Sequence, residues 1–522
     1  MSRISRNRDT CSPLLAGTTR TPRTILDIPT DYQVEPPPVI PLYGRRPLER
    51  LREVPIGSHF YLPELANINE AKEFEKRRSK RLRENPQARL NHYQEITDYL
   101  DAQEPGHLAE VRDMAAEAGP MGKEVKAVVC IPVAGHQEGK QIYESLQNYT
   151  YQTANPEAYE IFLFVNHPDR DPQGRRVKPD ETLKEIERFK KDYPQMNIKV
   201  AYRVIPAPQA RIGQIRKLLN DAVLLRHHER GKKAADLIMI SNDADNRGVA
   251  PQYLENFVKQ YETNKNLDAM VGQLDWDPES YVRYPLIHTG VRLFQYVDVQ
   301  ARYGTGNIPS SGANFSFRSS AYAAVGGYRP EITLGEDVNL GRAVVHARGN
   351  WKTMGFAGAR VSRLFTSSRR AIAALEEGHV PYDMWAREFS PFDAEVRNLG
   401  LGKGREPNLD DPSEIAELKK GLEWVINGTI RIMDRQAGRG ASHRIYKRAL
   451  GWMGIKYNLD AAGKIAITNM DHVVSKLKDY RQYGVILRDV KAGRTERLPE
   501  LRATLERIRG ENANEAEVGA TV

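Results

Sequence analysis

Between Lys126 and Leu274 the chain alternates short apolar runs with longer segments of helical spacing, and this alternation restricts the fold more than any other feature. The apolar runs are 126–133 (KAVVCIPV), 159–165, 198–204, 237–241 and 269–274. Helical segments at 139–151, 181–193, 211–228 and 253–261 separate them. In the third of these, Ile212, Ile215, Leu218, Leu219 and Ala222 are spaced to form one apolar face. Apolar strands joined by helices of this length build a mostly parallel sheet with helices on both faces. The expected fold class is therefore α/β. Ligands of such sheets bind beyond the carboxyl ends of the strands.

The flanking regions read differently. Residues 1–120 are expected to form an extended arm and a helical N-terminal region, 121–390 the main domain, and 391–522 a helical C-terminal region with a charged tail. Up to Arg46 the chain is rich in Thr, Pro and Arg, and it carries Pro37-Pro38-Val39-Ile40-Pro41, which favours extended chain. From Glu70 to about Glu117 the pattern is helical and charged, with Phe74, Leu82 and Leu90 among basic residues, and is expected to pack on the main domain. Helices are also expected at Pro412–Met433 and Ala461–Tyr480, with fraying from Arg494 onward. No run of about 18 apolar residues occurs, so no membrane span is expected. The basic start, Met1 to Arg8, is not followed by an apolar stretch, which argues against a secretory signal. The two cysteines, Cys11 and Cys130, indicate no disulfide framework, and Cys130 reads as a small buried hydrophobe. A reducing, cytoplasmic location is expected. The net charge of +9 suits nucleic acid, anionic lipid or phosphorylated substrates and separates none of them. No zinc-finger, helix-turn-helix or RNP spacing is present.

The run Leu237-Ile238-Met239-Ile240-Ser241 leads straight into Asn242-Asp243-Ala244-Asp245-Asn246. Continued as extended chain, this puts the Asp243 and Asp245 carboxylates on one side, because side chains repeat every second residue in a strand. Paired oxygens of this kind suit Mg2+ or Mn2+ shared with substrate phosphates. An Asx-rich surface turn after a strand uses the same residues. Glu336 and Asp337 open an expected helix, Asp337–His346, where acids also complement the helix dipole. One of them is a candidate general base. Gly312, in Ser310-Ser311-Gly312-Ala313-Asn314-Phe315-Ser316-Phe317-Arg318, permits close backbone approach to a ligand. Arg363, Arg369 and Arg370 are candidate phosphate clamps or a solvated basic face. His346 and His379 are candidate third metal ligands or ordinary structural histidines. Trp276, Tyr281, Tyr284 and Tyr296 offer rings for stacking or for the core. Taken together, the residues point to a metal-dependent enzyme acting on a phosphorylated substrate such as a sugar nucleotide.

From Val125 to Trp385 these segments, in this order, resemble the family 2-like nucleotide-sugar glycosyltransferases with the GT-A fold. Val129–Pro132 is similar to the opening strand of that family, and Ala134–Glu138 to its nucleotide-binding loop, which implicates Pro132, Ala134 and Glu138 in donor binding. Asp169 falls where the family carries a base-contacting acid, although Val165-Asn166-His167-Pro168-Asp169 replaces the usual Asp-rich tail. Asp243-Ala244-Asp245 matches the metal and diphosphate motif. Gly312 to Arg318, Gly326-Gly327-Tyr328 and Gly335-Glu336-Asp337 match the acceptor side, where the resemblance makes Asp337, beside Glu336, the catalytic base of an inverting enzyme. The Gln-x-x-Arg-Trp box of processive synthases is absent, since Ser368-Arg369-Arg370 followed by Trp385 does not reproduce it. The resemblance implies non-processive transfer from a nucleoside-diphosphate sugar to an acceptor hydroxyl with Mn2+ or Mg2+. It implies no integral membrane association and leaves homo-oligomer formation open. Some related soluble transferases are retaining and bind metal through a histidine. Two other readings stand beside it: a nucleotidyltransferase releasing pyrophosphate, and a non-catalytic nucleic-acid-associated or scaffolding protein.

Overall fold

The computed structural model describes residues 92–265, 267–286, 288–290, 292–293, 312–332, 335–348, 362–367, 406–436 and 443–509. In chain order these form α1 (His92–Asp101), α2 (Pro105–Ala118), β1 (Ala127–Ala134), α3 (Gln141–Gln147), β2 (Tyr159–Pro168), α4 (Thr182–Asp192), β3 (Ile198–Ile205) and α5 (Ile212–His228). There follow β4 (Ile238–Ser241), β5 (Asn246–Val249), α6 (Tyr253–Thr263), β6 (Ala269–Val271), β7 (Gln273–Trp276), α7 (Pro278–Arg283), β8 (Phe315–Arg318), α8 (Ser319–Ala324), α9 (Glu336–Arg348) and β9 (Arg363–Thr366). The C-terminal part supplies α10 (Pro412–Gln436), α11 (His443–Trp452), β10 (Tyr457–Leu459), β11 (Ile465–Ile467), α12 (Met470–Lys491) and α13 (Leu498–Arg509).

The main sheet has six strands in the order β3-β2-β1-β4-β8-β6. The first four are parallel, and β8 runs antiparallel to both β4 and β6. The α/β class and mostly parallel sheet agree with the GT-A-type architecture expected from the motifs. Successive residues of β1 explain the layering. Ala127, Val129, Ile131 and Val133 face a core completed by α3, α4, α6 and the C-terminal helices. Val128 and Cys130 face a core completed by α1, α2, α5 and α8. Every one of these β1 side chains is fully buried, which is why the run is apolar without alternation. The buried thiol of Cys130 agrees with its reading as a small hydrophobe.

Three expectations are corrected. The apolar run 269–274 is two strands, because Gly272 lies against the Asn314 amide and hands the chain from the main sheet to a smaller one, β5-β9-β7. Residues 461–469 begin with a turn and the hairpin strand β11 rather than a helix. The chain after Arg494 is not frayed throughout, since α13 buries Leu501, Leu505 and Ile508. Among the described residues, no helix is long and apolar enough to cross a membrane.

Helix α5 departs most from the amphipathic pattern. It buries Arg216, Lys217, Asn220, Asp221, Arg226 and His227 along with its apolar residues. Asp221 accepts from Tyr99 Oη at 2.7 Å, His107 Nε2 at 2.7 Å, Lys217 Nζ at 2.9 Å and Tyr322 Oη at 2.9 Å. Burial alone raises its pKa, but Lys217 and His107 outweigh that and hold it below the usual range. Four donors fill a carboxylate, so this one residue ties α1, α2 and α8 to α5. Further along, the Arg226 guanidinium pairs with Glu160 of β2, both fully buried. These anchors fix the rotation of α5 and therefore the direction in which Arg216 points.

Candidate active site

In the order β3-β2-β1-β4, the chain runs outward from β1 on one side and resumes on the other at β4. The β1–β4 junction is thus the switch point at which open α/β sheets bind ligands. Cys130 pairs with Ser241, so Pro132 and Asp243, two residues on, stand at one level beyond the sheet. The strand stops at Ser241, and Ala244 and Asp245 form a turn instead of continuing extended as the spacing suggested. Alternation survives the turn: Asn242, Ala244 and Asn246 are buried, whereas Asp243 and Asp245 are half-exposed on the remaining side. A polar lattice holds the turn from below. The Asn242 amide lies between the phenols of Tyr149 (2.6 Å) and Tyr253 (2.8 Å), and Tyr253 Oη donates to Asn314 Oδ1 at 2.9 Å. Ser367 N donates to the Asp245 carbonyl at 3.1 Å, which joins the turn to the small sheet.

Arg216 organises the site. Its side chain is 4% exposed. Nη2 donates to Asp243 Oδ1 at 2.6 Å, Nε to Glu336 Oε1 at 2.8 Å, and Nη1 to Ser241 Oγ at 2.6 Å. One guanidinium thus connects the first acid of the Asp243–Asp245 pair with the Glu336–Asp337 pair, although the two are more than ninety residues apart in sequence. Two glycines make the approach possible. A Cβ at Gly312 would overlap the Arg216 guanidinium, and one at Gly213 would overlap the carbonyl oxygens of Arg329 and Ile332, where α5 begins. Gly213 N donates to Ile332 O at 3.0 Å, seating the start of α5 on the segment that leads into α9.

Asp337 accepts from the backbone N–H groups of Gly312 on Oδ2 and Val338 on Oδ1, the latter at 2.7 Å. Burial raises the Asp337 pKa, and Arg216 with the two N–H groups only partly opposes it. Glu336 is pushed up to about 7 by burial and by the neighbouring Asp337, against the pull of Arg216. The two adjacent acids therefore hold fewer than two charges near neutral pH.

The other expected residues distribute as follows. Pro132 and Ala134 are half-exposed at the end of β1, and Glu138 is buried in the loop after it. Asp169 lies on the same sheet edge, but its Oδ1 accepts from Ala207 N at 2.7 Å and so closes the turn after β3. His136, His167 and Tyr202 line this edge: the two imidazoles are 6.2 Å apart, and His167 Nε2 is 2.9 Å from Tyr202 Oη. Trp276, Tyr281 and Tyr284 are core residues, each less than a tenth exposed. Arg363 is also buried, at the end of β9 remote from Asp245, which rules out an open phosphate clamp. Arg369, Arg370, His379 and Tyr296 lie outside the described residues, as does the side chain of His346 on α9.

No group of three or more His, Cys, Asp or Glu side chains suited to a metal ion occurs among the described residues. Asp243 and Asp245 nevertheless fit a hard divalent ion that takes its remaining ligands from phosphate and water. Asp243 keeps Oδ2 beyond its bond to Arg216, with a side chain 41% exposed.

Sequence reading missed Arg216 and Ser241. The signal for Arg216 was present: it follows Ile212 by four residues and precedes Leu219 by three, so it sits on the apolar face of its helix. A guanidinium on a buried face needs an acid partner, and the acids at the sheet edge are the partners.

No family model matches this chain, and no curated protein matches it. Solved structures do align with it. The 1–349 fragment of S. aureus TarS aligns at 12% identity and a TM-score of 0.28, over 66% of this chain and 96% of that one. A mannosyltransferase from Pyrobaculum calidifontis, solved with GDP-Man and Mn2+, aligns at 13% identity and a TM-score of 0.29, over 80% and 98%. At these identities and TM-scores the likeness carries no argument about activity or residue roles.

Proposed function

We propose that this chain transfers a sugar from a nucleoside-diphosphate sugar to an acceptor hydroxyl, with inversion and without processivity. The observation that carries the proposal is the Arg216 bridge from Asp243, on the donor side, to Glu336 beside Asp337 on the acceptor side. Asp243 and Asp245 would hold Mn2+ or Mg2+, which supplies charge to offset the departing diphosphate. Pro132, Ala134 and Glu138 border the same switch point, and the His136–His167–Tyr202 edge gives a base a surface for stacking. Asp337 takes the proton of the acceptor hydroxyl as that oxygen bonds to the anomeric carbon. The carbon–oxygen bond to the diphosphate breaks on the opposite face, and the nucleoside diphosphate leaves with the bonding electrons. Backbone N–H groups of Gly312 and Val338 orient the base, and its raised pKa suits proton removal near neutral pH.

A panel of nucleotide sugars incubated with the full chain and Mn2+ tests this reading. One of them should release its nucleoside diphosphate at a rate that falls on chelation. Release of pyrophosphate from a nucleoside triphosphate and a sugar phosphate, with no diphosphate release from any donor, would overturn it in favour of nucleotidyl transfer.

A further inference from the structure

The small sheet holds a buried cation for which the described residues supply no anion. Arg363 opens β9 and is 4% exposed. Its Nη2 donates to Gln273 Oε1 at 3.0 Å, while Nε and Nη1 are buried without a hydrogen-bond partner. Phe365, on the same face of β9, lies 6.0 Å from the Arg363 guanidinium carbon, and its ring is 5.0 Å from that of Tyr483 on α12. Tyr483 is fully buried, and its hydroxyl likewise has no partner. Burial raises the Tyr483 phenol pKa, and the positive charge of Arg363 pulls against that, so the two groups act on one another.

The carboxylate of Asp275, on the neighbouring strand β7, is already engaged. Asp275 pairs with Phe365 across the β7–β9 ladder. Its Oδ1 serves Arg292 and accepts from Trp276 N, and its Oδ2 accepts from Tyr480 Oη at 3.2 Å. A guanidinium is a permanent cation in a protein and has no neutral form to fall back on. A buried charge without a partner is strongly unfavourable, and a buried donor without an acceptor adds to this.

We propose that Arg363 and Tyr483 form a binding site for a small inorganic monoanion of halide size, enclosed between the β5-β9-β7 sheet and α12. Arg363, Phe365 and Tyr483 are all less than a tenth exposed, so a ligand among them must be a compact ion and not a nucleotide or a peptide. The site is separate from the donor site. Ser367, which binds the Asp245 carbonyl, is four residues further along the strand, roughly 13 Å away at strand rise. Bound there, the anion takes the free N–H groups of Arg363 and the hydroxyl of Tyr483, and so fastens α12 to the sheet.

The test is thermal unfolding of the full chain in sodium chloride or bromide against sodium gluconate at equal ionic strength, for wild type and Arg363→Met. Gluconate is too large to enter. Halide is expected to raise the wild-type midpoint by roughly 2 °C or more relative to its effect on Arg363→Met. An equal halide response in both proteins overturns the proposal. If Arg363→Met does not fold, Tyr483→Phe removes one donor and is expected to need a several-fold higher halide concentration for half the response; an unchanged concentration overturns it. Wild type alone gives a third reading: excess chloride NMR line broadening that bromide competes away supports the site, and its absence overturns it. Sugar transfer enters none of these measurements, so this proposal and the catalytic one fail separately.

Discussion

Replacing Arg216 with Met keeps the length of the side chain and removes the charge that joins the two acid pairs. Glu336 then loses its cation while its side chain stays 7% exposed, and Asp243, at 41%, falls back on water. Breaking a buried pair by deleting one partner costs about 3–5 kcal/mol, but a carboxyl that can take up a proton escapes part of that. With Arg216 present, Glu336 already moves from 4.5 to about 7 on folding. At 1.36 kcal/mol per pKa unit this gap opposes folding by about 3 kcal/mol above pH 7. The sign follows from proton binding. The folded acid binds its proton more tightly than the unfolded one, so stability is fullest below the unfolded pKa and is lost as pH rises through the folded one. Without Arg216 the folded pKa moves higher still, and the loss continues beyond the pH at which it ends in wild type. The expected result is a small difference in unfolding midpoint between Arg216→Met and wild type at about pH 6, widening to a few kcal/mol at about pH 8.5. Adding Glu336→Gln to Arg216→Met should remove that widening. A gap between variant and wild type that is constant with pH, or narrower in alkali, would show that Glu336 does not depend on this guanidinium.

Three further outcomes are expected. Asp337→Asn should leave nucleotide-sugar affinity within about two-fold while removing transfer to the acceptor, measured by titration and by product formation; a large loss of donor affinity would move this residue to the donor side. Asp245→Ala should abolish metal-dependent donor turnover, and full turnover at ordinary Mn2+ concentration would remove Asp245 from the ion site. Gly312→Ala places a methyl group where the Arg216 guanidinium lies, so a loss of about 1–3 kcal/mol in denaturant unfolding is expected, together with lower activity. A Gly312→Ala protein as stable and active as wild type would mean that the approach can relax.

The parallel core was legible because β1, β2 and β4 are buried on both faces and read as largely apolar runs, and because apolar spacing marks the helices between them. The expected helix at 181–193 is found at Thr182–Asp192, and the expected strand at 198–204 at Ile198–Ile205. Strands β5 and β9 were not legible. Asn246-Arg247-Gly248-Val249 and Arg363-Leu364-Phe365-Thr366 are four residues each, and they become strands only by pairing across the chain, β5 with β9 and β9 also with β7. Asp243 and Glu336 were visible as acids near element ends. Asp169 was visible as an acid after the second strand, but its bond from Ala207 N was not, because that depends on the turn after β3.

The sequence by itself determined the α/β class, the strand that ends at Ser241 and the acids that follow it, because periodicity and burial of a local run are properties of consecutive residues. Only the tertiary structure decided that Asp243 and Glu336 share the guanidinium of Arg216, that the C-terminal helices complete one face of the core, and that Arg363 is enclosed instead of reaching the donor site. Each of these is a contact between residues far apart in sequence. A charged side chain carries no local sign of whether it will meet water, an acid or an apolar wall until the chain has folded around it.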